Sequence, residues 1–203
     1  MTGLGHIYGM RVVVGASVID PRLTDGMCEH HIQRALWIRH RGGASCILPN
    51  YTPIGWQECD LFVVLKSGFS IEYEIKLSRA DFKADFRKHN KHHRMANRIN
   101  CRIPTRFFYA MPEGLVSVED IPDYAGLVYL RWSSPLPSRQ TTPIVTVVRP
   151  APRLSAERGL KNTVRDMRQT AYWRFWSERF AFEDYRRNVA LIRQHCPDGE
   201  GGG

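Results

Sequence analysis

Apolar and polar residues alternate along two neighbouring stretches of the chain, which is the pattern of half-buried β-strands. The first stretch is Asp60–Leu65 and the second is Phe69–Leu77, with Ser67 and Gly68 between them. Because Ser-Gly is typical of a tight turn, the two stretches are predicted to form an antiparallel hairpin.

The second strand of this hairpin divides into an apolar and a polar face, because strand side chains alternate between faces. The apolar face carries Ile71, Tyr73, Ile75 and Leu77. The polar face carries Glu72, Glu74, Lys76 and Ser78. A solvated surface strand has the same pattern, so the alternation alone leaves a surface role and a functional role open.

Helical spacing of apolar residues predicts a helix on either side of the hairpin. The first helix runs from Thr24 or Asp25 to about His40, and the second runs from Ser78 to about Asn97. Asp81 is the expected capping partner of Ser78. Further strands are predicted at 45–49, 106–111, 125–132 and 144–148, and helical structure is predicted at 155–195. This order predicts an α/β fold, with a mixed sheet flanked by helices.

The composition is that of a folded chain, with 203 residues, 43% hydrophobic and 24% charged. These values exclude a disordered or fibrous protein. We expect an N-terminal extension at 1–23, a core domain at 24–150, a helical region at 151–197 and a flexible tail at 198–203. No apolar run reaches the ~20 residues of a membrane helix, and the five cysteines contain no CxxC pair, so a reducing cytoplasm and no membrane partner are expected.

The formal net charge of +9 is concentrated in two segments, which indicates a polyanionic partner such as a nucleic acid. Residues 76–106 contain ten basic and two acidic residues, a net charge of +8. Residues 149–195 contain eleven basic and five acidic residues, a net charge of +6. The remainder of the chain is mildly acidic.

The hairpin next to the first basic segment carries residues suited to phosphodiester hydrolysis. Asp60 begins one strand and Glu74 lies near the end of the other, so the hairpin can bring the two carboxylates together. Two carboxylates on adjacent strands can hold Mg²⁺ through oxygen ligands, and the metal can polarise a phosphodiester. Lys76 follows on the same face as Glu74 and can orient water or neutralise charge developing on the phosphate.

Asp60 followed by Glu74-Ile75-Lys76, on a hairpin with a helix after it, resembles the PD-(D/E)XK nuclease superfamily. The stretches EIKLSRADFKADFRK and RFFYAMPEGL resemble more narrowly the MmcB-like DNA-repair proteins and related phage-encoded nucleases. The resemblance covers roughly residues 24–131. It implies a restriction-endonuclease-like α-β-β-β-α-β core with a C-terminal helical extension. It also implies a metal-dependent DNA endonuclease of DNA repair, recombination or phage DNA processing, in a bacterial or phage-infected cell.

The same resemblance implies roles for individual residues. Asp60 and Glu74 would be ligands of Mg²⁺ or Mn²⁺, with the backbone carbonyl of Ile75 as a third, and Lys76 would be the catalytic lysine. Glu29 fits the acid that many members carry on the first helix, although an acid in a first helical turn is also favoured by the helix dipole. Glu58 and Glu72 are further acids that can change the metal assignment.

The helix after the motif is rich in basic residues, which would contact phosphates beside such a site or otherwise form a solvated helix face. These residues are Arg79, Lys83, Arg87, Lys88, Lys91, His92 and Arg94. On the same helix, Asp85 is expected to be a solvated acid paired with a basic residue one turn away.

The C-terminal helix carries a run of aromatic residues, which packs in a core, stacks on nucleic-acid bases or forms an interface. They are Tyr172, Trp173, Phe175, Trp176, Phe180 and Phe182. A homodimer through this helix is possible on this pattern. Two alternatives to the nuclease remain open: a catalytically inactive nucleic-acid-binding protein of the same fold, and a phage or mobile-element protein that binds a host protein. The sequence leaves open whether the nucleic acid is DNA or RNA, and whether it is single-stranded, duplex or branched.

Overall fold

The computed structural model describes residues 4–7, 10–13, 26–99, 102–132, 141–158 and 161–195. The predicted tail at 198–203 and most of the predicted N-terminal extension lie outside these residues. The strands are β1 (Leu4–Ile7), β2 (Met10–Val13), β3 (Ala44–Tyr51), β4 (Cys59–Leu65), β5 (Ser70–Ile75), β6 (Arg106–Pro112), β7 (Gly126–Arg131) and β8 (Ile144–Arg149). The helices are α1 (Glu29–His40), α2 (Arg79–Asp85), α3 (His89–Ala96) and α4 (Lys161–His195).

The chain divides into two compact units. One comprises residues 19–167, and the other comprises residues 1–18 with residues 168–203. In the second unit, β1 and β2 pair as an antiparallel hairpin, for which the glycine-rich N-terminus gives no periodic signal. Its portion of α4 carries exposed aromatic side chains, Trp173, Phe175 and Phe180 among them. None of the described helices has the length and apolar character needed to cross a membrane.

The larger unit is built on a six-stranded mixed sheet with the strand order β3-β4-β5-β6-β7-β8. The β3/β4, β4/β5 and β7/β8 pairs are antiparallel, whereas β6 runs parallel to both β5 and β7. The parallel step from β5 to β6 needs a crossover connection, and α2 and α3 supply it. The α/β prediction, with a mixed sheet, flanking helices and a C-terminal helix, is therefore confirmed at this level.

One face of the sheet forms the main apolar core against α1. Ile32, Ala35 and Leu36 of α1 are buried against strand residues that include Ile71, Tyr73, Ile75, Leu61, Val63, Phe108 and Ala110. The apolar face of β5 predicted from alternation is thus buried from Ile71 to Ile75, and Leu77, beyond the strand, is exposed. The hairpin prediction is also confirmed, because β4 pairs with β5 from Leu61↔Tyr73 to Val64↔Ser70.

The opposite face of the sheet is covered by α2 and α3, which the sequence predicted as one helix ending at about Asn97. That prediction is wrong in one respect, because helical geometry stops after Asp85 and restarts at His89. The backbone of Lys88 has φ −77° and ψ 55°, outside the α-helical region. At the start of α2, Ser78 accepts a hydrogen bond from the Asp81 N–H, so the predicted cap forms. Because of this break, the side chains of Asp85, Lys88 and Lys91 do not follow the regular spacing of one continuous helix.

Candidate active site

Three charged residues of the polar strand face, Glu72, Glu74 and Lys76, are buried on the face of the sheet that α2 and α3 cover. A solvated surface strand is therefore the wrong interpretation of the alternation at these positions. Burying ionised side chains is costly unless each has partners of opposite charge. The surrounding lysines provide those partners.

Lys91 lies fully buried between the two glutamates of β5. Its Nζ is 2.6 Å from Glu72 Oε1 and 2.6 Å from Glu74 Oε2. Burial lowers the pKa of a lysine, but the charges of Glu72 and Glu74 outweigh it, so the pKa of Lys91 is raised above its usual value. Lys91 is therefore a buried counter-ion rather than the phosphate contact expected from the sequence.

Glu74 is surrounded by lysines on both carboxylate oxygens. Its Oε1 accepts hydrogen bonds from Lys76 Nζ at 3.0 Å and Lys88 Nζ at 2.8 Å, and its Oε2 accepts one from Lys91. Burial would raise the pKa of Glu74, but Lys91 and Lys76 outweigh it, so the pKa lies below its usual value. Glu74 is thus ionised and tightly held.

Asp85 is the third buried acid of this cluster. Its Oδ1 lies 3.3 Å from Lys76 Nζ and 3.1 Å from Lys88 Nζ, and its Oδ2 accepts a hydrogen bond from the Tyr109 hydroxyl at 2.9 Å. The expectation of a solvated acid is wrong, although the pairing with Lys88 three residues later is present. Glu72, Glu74 and Asp85 together balance Lys76, Lys88 and Lys91.

Trp56 lies in the segment between β3 and β4 and covers the charged cluster at Glu72. Its indole N–H donates to Glu72 Oε2 at 2.6 Å, and the Arg94 guanidinium lies 4.6 Å from the centre of its ring. Trp56 is buried, so it also separates Glu72 from solvent. Arg94 therefore stacks on this closing residue.

Asp60 lies where β4 and β5 separate. Their pairing ends at Leu61↔Tyr73, and beyond it the Asp60 carboxylate accepts the Ile75 backbone N–H at 2.6 Å. Burial and the neighbouring Glu74 raise the pKa of Asp60 to about 7, and the charge of Glu29 adds to the rise. The hydrogen bond from Ile75 and the charge of Lys76 lower the pKa of Asp60, but they do not offset its burial and the negative charges of Glu74 and Glu29.

Glu29, at the start of α1, belongs to the same group. Gln33 links the two elements, since its side-chain amide donates to Glu29 Oε1 at 2.7 Å and to the Asp60 carbonyl at 3.1 Å. Burial raises the pKa of Glu29, and the charges of Asp81, Glu58 and Glu74 raise it further. The structure therefore brings Glu29, Asp60, Glu74 and Lys76 into one electrostatic environment, as the sequence predicts.

The donor groups at this end of the hairpin suit a hard divalent cation in kind, because carboxylate and carbonyl oxygens are its preferred ligands. The raised pKa of Asp60 reflects an excess of negative charge that such a cation would relieve. Glu74 limits cation binding, because both of its carboxylate oxygens accept hydrogen bonds from lysines, and a lysine must leave one of them before a cation can bind there. Among the described residues, no three His, Cys, Asp or Glu side chains are grouped so as to hold a metal ion. A cation here would rest on Asp60, Glu74 and the Ile75 carbonyl.

The predicted nucleic-acid contacts separate into exposed and buried residues. Arg79, Lys83, Arg87 and Lys88 are exposed, and Arg94 is half-buried against Trp56. Lys91 and His92 are buried, and His92 Nδ1 lies 2.6 Å from the Tyr124 hydroxyl. Lys91 and His92 are therefore out of reach of a phosphate backbone in this structure.

Sequence reasoning missed the counter-ion role of Lys91 and the contributions of Trp56, Asp85 and Tyr109. No periodic signal identifies Asp85 and Lys91, because the break at Lys88 places them in different helices and their burial is decided by packing. Trp56 lies in a loop and Tyr109 on a buried strand, where no periodic pattern identifies a partner.

No protein-family model matches the chain, and no curated protein matches it. Among solved structures, a protein of unknown function from Silicibacter pomeroyi aligns with a TM-score of 0.48 at 20% sequence identity, over 87% of this chain and 97% of that chain. The resemblance to PD-(D/E)XK nucleases therefore stays a prediction from the residues and motifs.

Proposed function

We propose that this protein is a Mg²⁺- or Mn²⁺-dependent DNA endonuclease. The observation that carries the proposal is the meeting of Asp60, Glu74 and Lys76 at the end of the β4/β5 pairing, with Glu29 beside them. A divalent cation on Asp60, Glu74 and the Ile75 carbonyl would supply Lewis-acid polarisation of a phosphodiester.

The protein's own residues have separate tasks in this proposal. Lys76 keeps its ammonium beside Glu74, where it orients an attacking water or neutralises charge on the phosphate. The pKa of Lys76 is raised because Glu74 and Asp85 outweigh the effect of burial, so Lys76 acts as a cation and not as a base. The Ile75 N–H orients the Asp60 carboxylate.

The exposed basic side chains around this site support a nucleic-acid substrate. Arg79, Lys83 and Arg87 lie on α2 or just after it, and α2 starts three residues after Lys76. Such contacts neutralise phosphates and position a duplex without reading its sequence. We therefore assign binding to this surface and cleavage to the carboxylates.

Cleavage of single-stranded, duplex and branched DNA with Mg²⁺ or Mn²⁺ tests the proposal. Wild type is expected to cleave at least one of these substrates, and Glu74→Gln and Lys76→Met are expected to lose at least ~100-fold in rate. Lys66→Gln is the matched control, because Lys66 is exposed and bonds the Gly42 carbonyl away from the site. Equal rates for wild type, Glu74→Gln and Lys76→Met would reject the proposal.

A second candidate function is favoured by the lysines on Glu74. Because both of its oxygens already accept lysine hydrogen bonds, the same fold can bind nucleic acid with an internally neutralised, catalytically silent cluster. Calorimetry with Mn²⁺ separates the candidates: the nuclease binds the cation, whereas the silent binder takes up DNA without it.

A further inference from the structure

Lys88 differs from the two other lysines that neutralise Glu74. The side chain of Lys91 is fully buried and that of Lys76 is 6% exposed, whereas that of Lys88 is 44% exposed. Lys88 is also the N-cap residue of α3, at the break after α2, and its backbone lies outside the α-helical region. Its ammonium can therefore reach solvent without unpacking the core.

Lys88 contacts two of the three acids that lie within ion-pair distance of Lys76: it contacts Glu74 and Asp85 but not Asp81. Its Nζ lies 2.8 Å from Glu74 Oε1 and 3.1 Å from Asp85 Oδ1. With Lys88 in place, three buried carboxylates face three ammonium groups. If Lys88 leaves, the cluster lacks one positive charge, and an uncompensated buried charge is strongly unfavourable. Another cation then gains by approaching Glu74.

Lys88 is also beside the exposed basic surface, since Arg87 precedes it and is exposed. A phosphate group bound by Arg87 and its neighbours would compete with Glu74 for the Lys88 ammonium. Both partners are anionic oxygens, so the exchange replaces one charge-assisted hydrogen bond with another.

We infer that Lys88 is an exchangeable counter-ion that couples the two ligands of the proposed nuclease. In the free protein it neutralises Glu74 and Asp85. When a nucleic acid binds, it moves to a phosphate and leaves Glu74 Oε1 available to a divalent cation. The inference rests on the proposed function, because it assigns a regulatory role at the same site.

Mn²⁺ binding to the full chain, measured by calorimetry without DNA, tests the first half of the inference. Lys88→Gln is expected to bind Mn²⁺ at least ~5-fold more tightly than wild type, because Glu74 Oε1 has lost a competing ammonium. Lys88→Arg, which keeps the charge, and Lys66→Gln, which removes a charge elsewhere, are expected to bind as wild type does. Equal affinity in wild type and Lys88→Gln overturns the inference and leaves the proposed function standing. Absence of Mn²⁺ binding in every variant overturns both.

DNA binding with a divalent cation present tests the second half. The affinity of a nuclease-resistant phosphorothioate duplex of 20 base pairs is measured against salt concentration at one fixed Mn²⁺ concentration, so that a cation can replace the Lys88 ammonium at Glu74. Lys88→Gln is expected to lower the magnitude of the log–log slope by ~0.9, the value of one phosphate contact. An unchanged slope in Lys88→Gln, with Arg87→Gln showing the decrease, overturns the exchange with phosphate.

Discussion

The carboxylate of Asp60 accepts a hydrogen bond of 2.6 Å from the backbone N–H of Ile75. This contact replaces a ladder hydrogen bond at the point where β4 no longer pairs with β5. A buried backbone N–H needs an acceptor, so Asp60 satisfies the strand while its charge remains next to Glu74. One residue therefore ends the sheet pairing and supplies an acid to the site.

Asp60→Ala and Asp60→Asn are expected to separate these two roles. Alanine leaves the Ile75 N–H without its acceptor and is expected to cost about 1–3 kcal/mol in the free energy of unfolding. Asparagine keeps an acceptor oxygen and removes the repulsion with Glu74, so its stability at pH 8 should equal or exceed that of wild type. Urea unfolding of the three proteins measures the difference. An asparagine variant as unstable as the alanine variant would contradict this assignment.

Lys91→Met is expected to be the most destabilising single change in the charged cluster. It leaves Glu72 and Glu74 facing each other without the ammonium that lies 2.6 Å from each. Removing one partner of a buried ion pair costs roughly 3–5 kcal/mol. Urea unfolding measures it, with Lys66→Met as the exposed control.

Lys91→Met combined with Glu72→Gln should recover part of that loss, because Glu74 and Asp85 then face Lys76 and Lys88 and the charges of the cluster balance again. The comparison also separates charge from packing, since both proteins carry the same methionine at position 91. A double variant no more stable than Lys91→Met alone would show that packing, and not charge, sets the cost.

The sequence predicts the hairpin, most of the other elements and the grouping of Asp60, Glu74 and Lys76, because each rests on local periodicity or spacing. It does not predict that Lys91 and Asp85 are buried. Helical geometry breaks at Lys88, between these two residues, and no proline or glycine marks that break. The partners of a charged helix residue are decided by tertiary packing, which a single sequence does not contain.

Gly126 is a second site where packing decides what the sequence allows. A Cβ at this position would meet the Phe108 ring and would lie 2.7 Å from the Ala151 backbone nitrogen. Gly126→Ala is therefore expected to force β6, β7 and the segment after β8 apart, at a cost of about 1–3 kcal/mol. Gly42→Ala is the matched control, because a Cβ there meets no atom within 4 Å. Thermal or urea unfolding of both variants checks the difference, and equal stabilities would contradict the close packing.

His40 is expected to give the stability a pH dependence on the acidic side. Burial lowers the pKa of His40 to about 4, with a contribution from Arg39, whereas an unfolded histidine has a pKa near 6.5. His40 is the last residue of α1, and its Nε2 lies 2.7 Å from the hydroxyl of Tyr73, on the face of the sheet that α1 covers. Between these two pKa values the unfolded chain binds the proton and the folded chain does not, so protonation favours unfolding. The contribution of His40 to stability is complete above about pH 6.5 and is lost as the pH falls toward about 4.

His40→Gln should therefore show a smaller loss of stability than wild type between pH 6.5 and pH 4. Urea unfolding across this range measures the difference, and Lys66→Gln, which changes an exposed residue of a type that does not titrate in this range, should follow the wild-type curve. Parallel curves for wild type and His40→Gln would mean that other groups carry the pH dependence in this window.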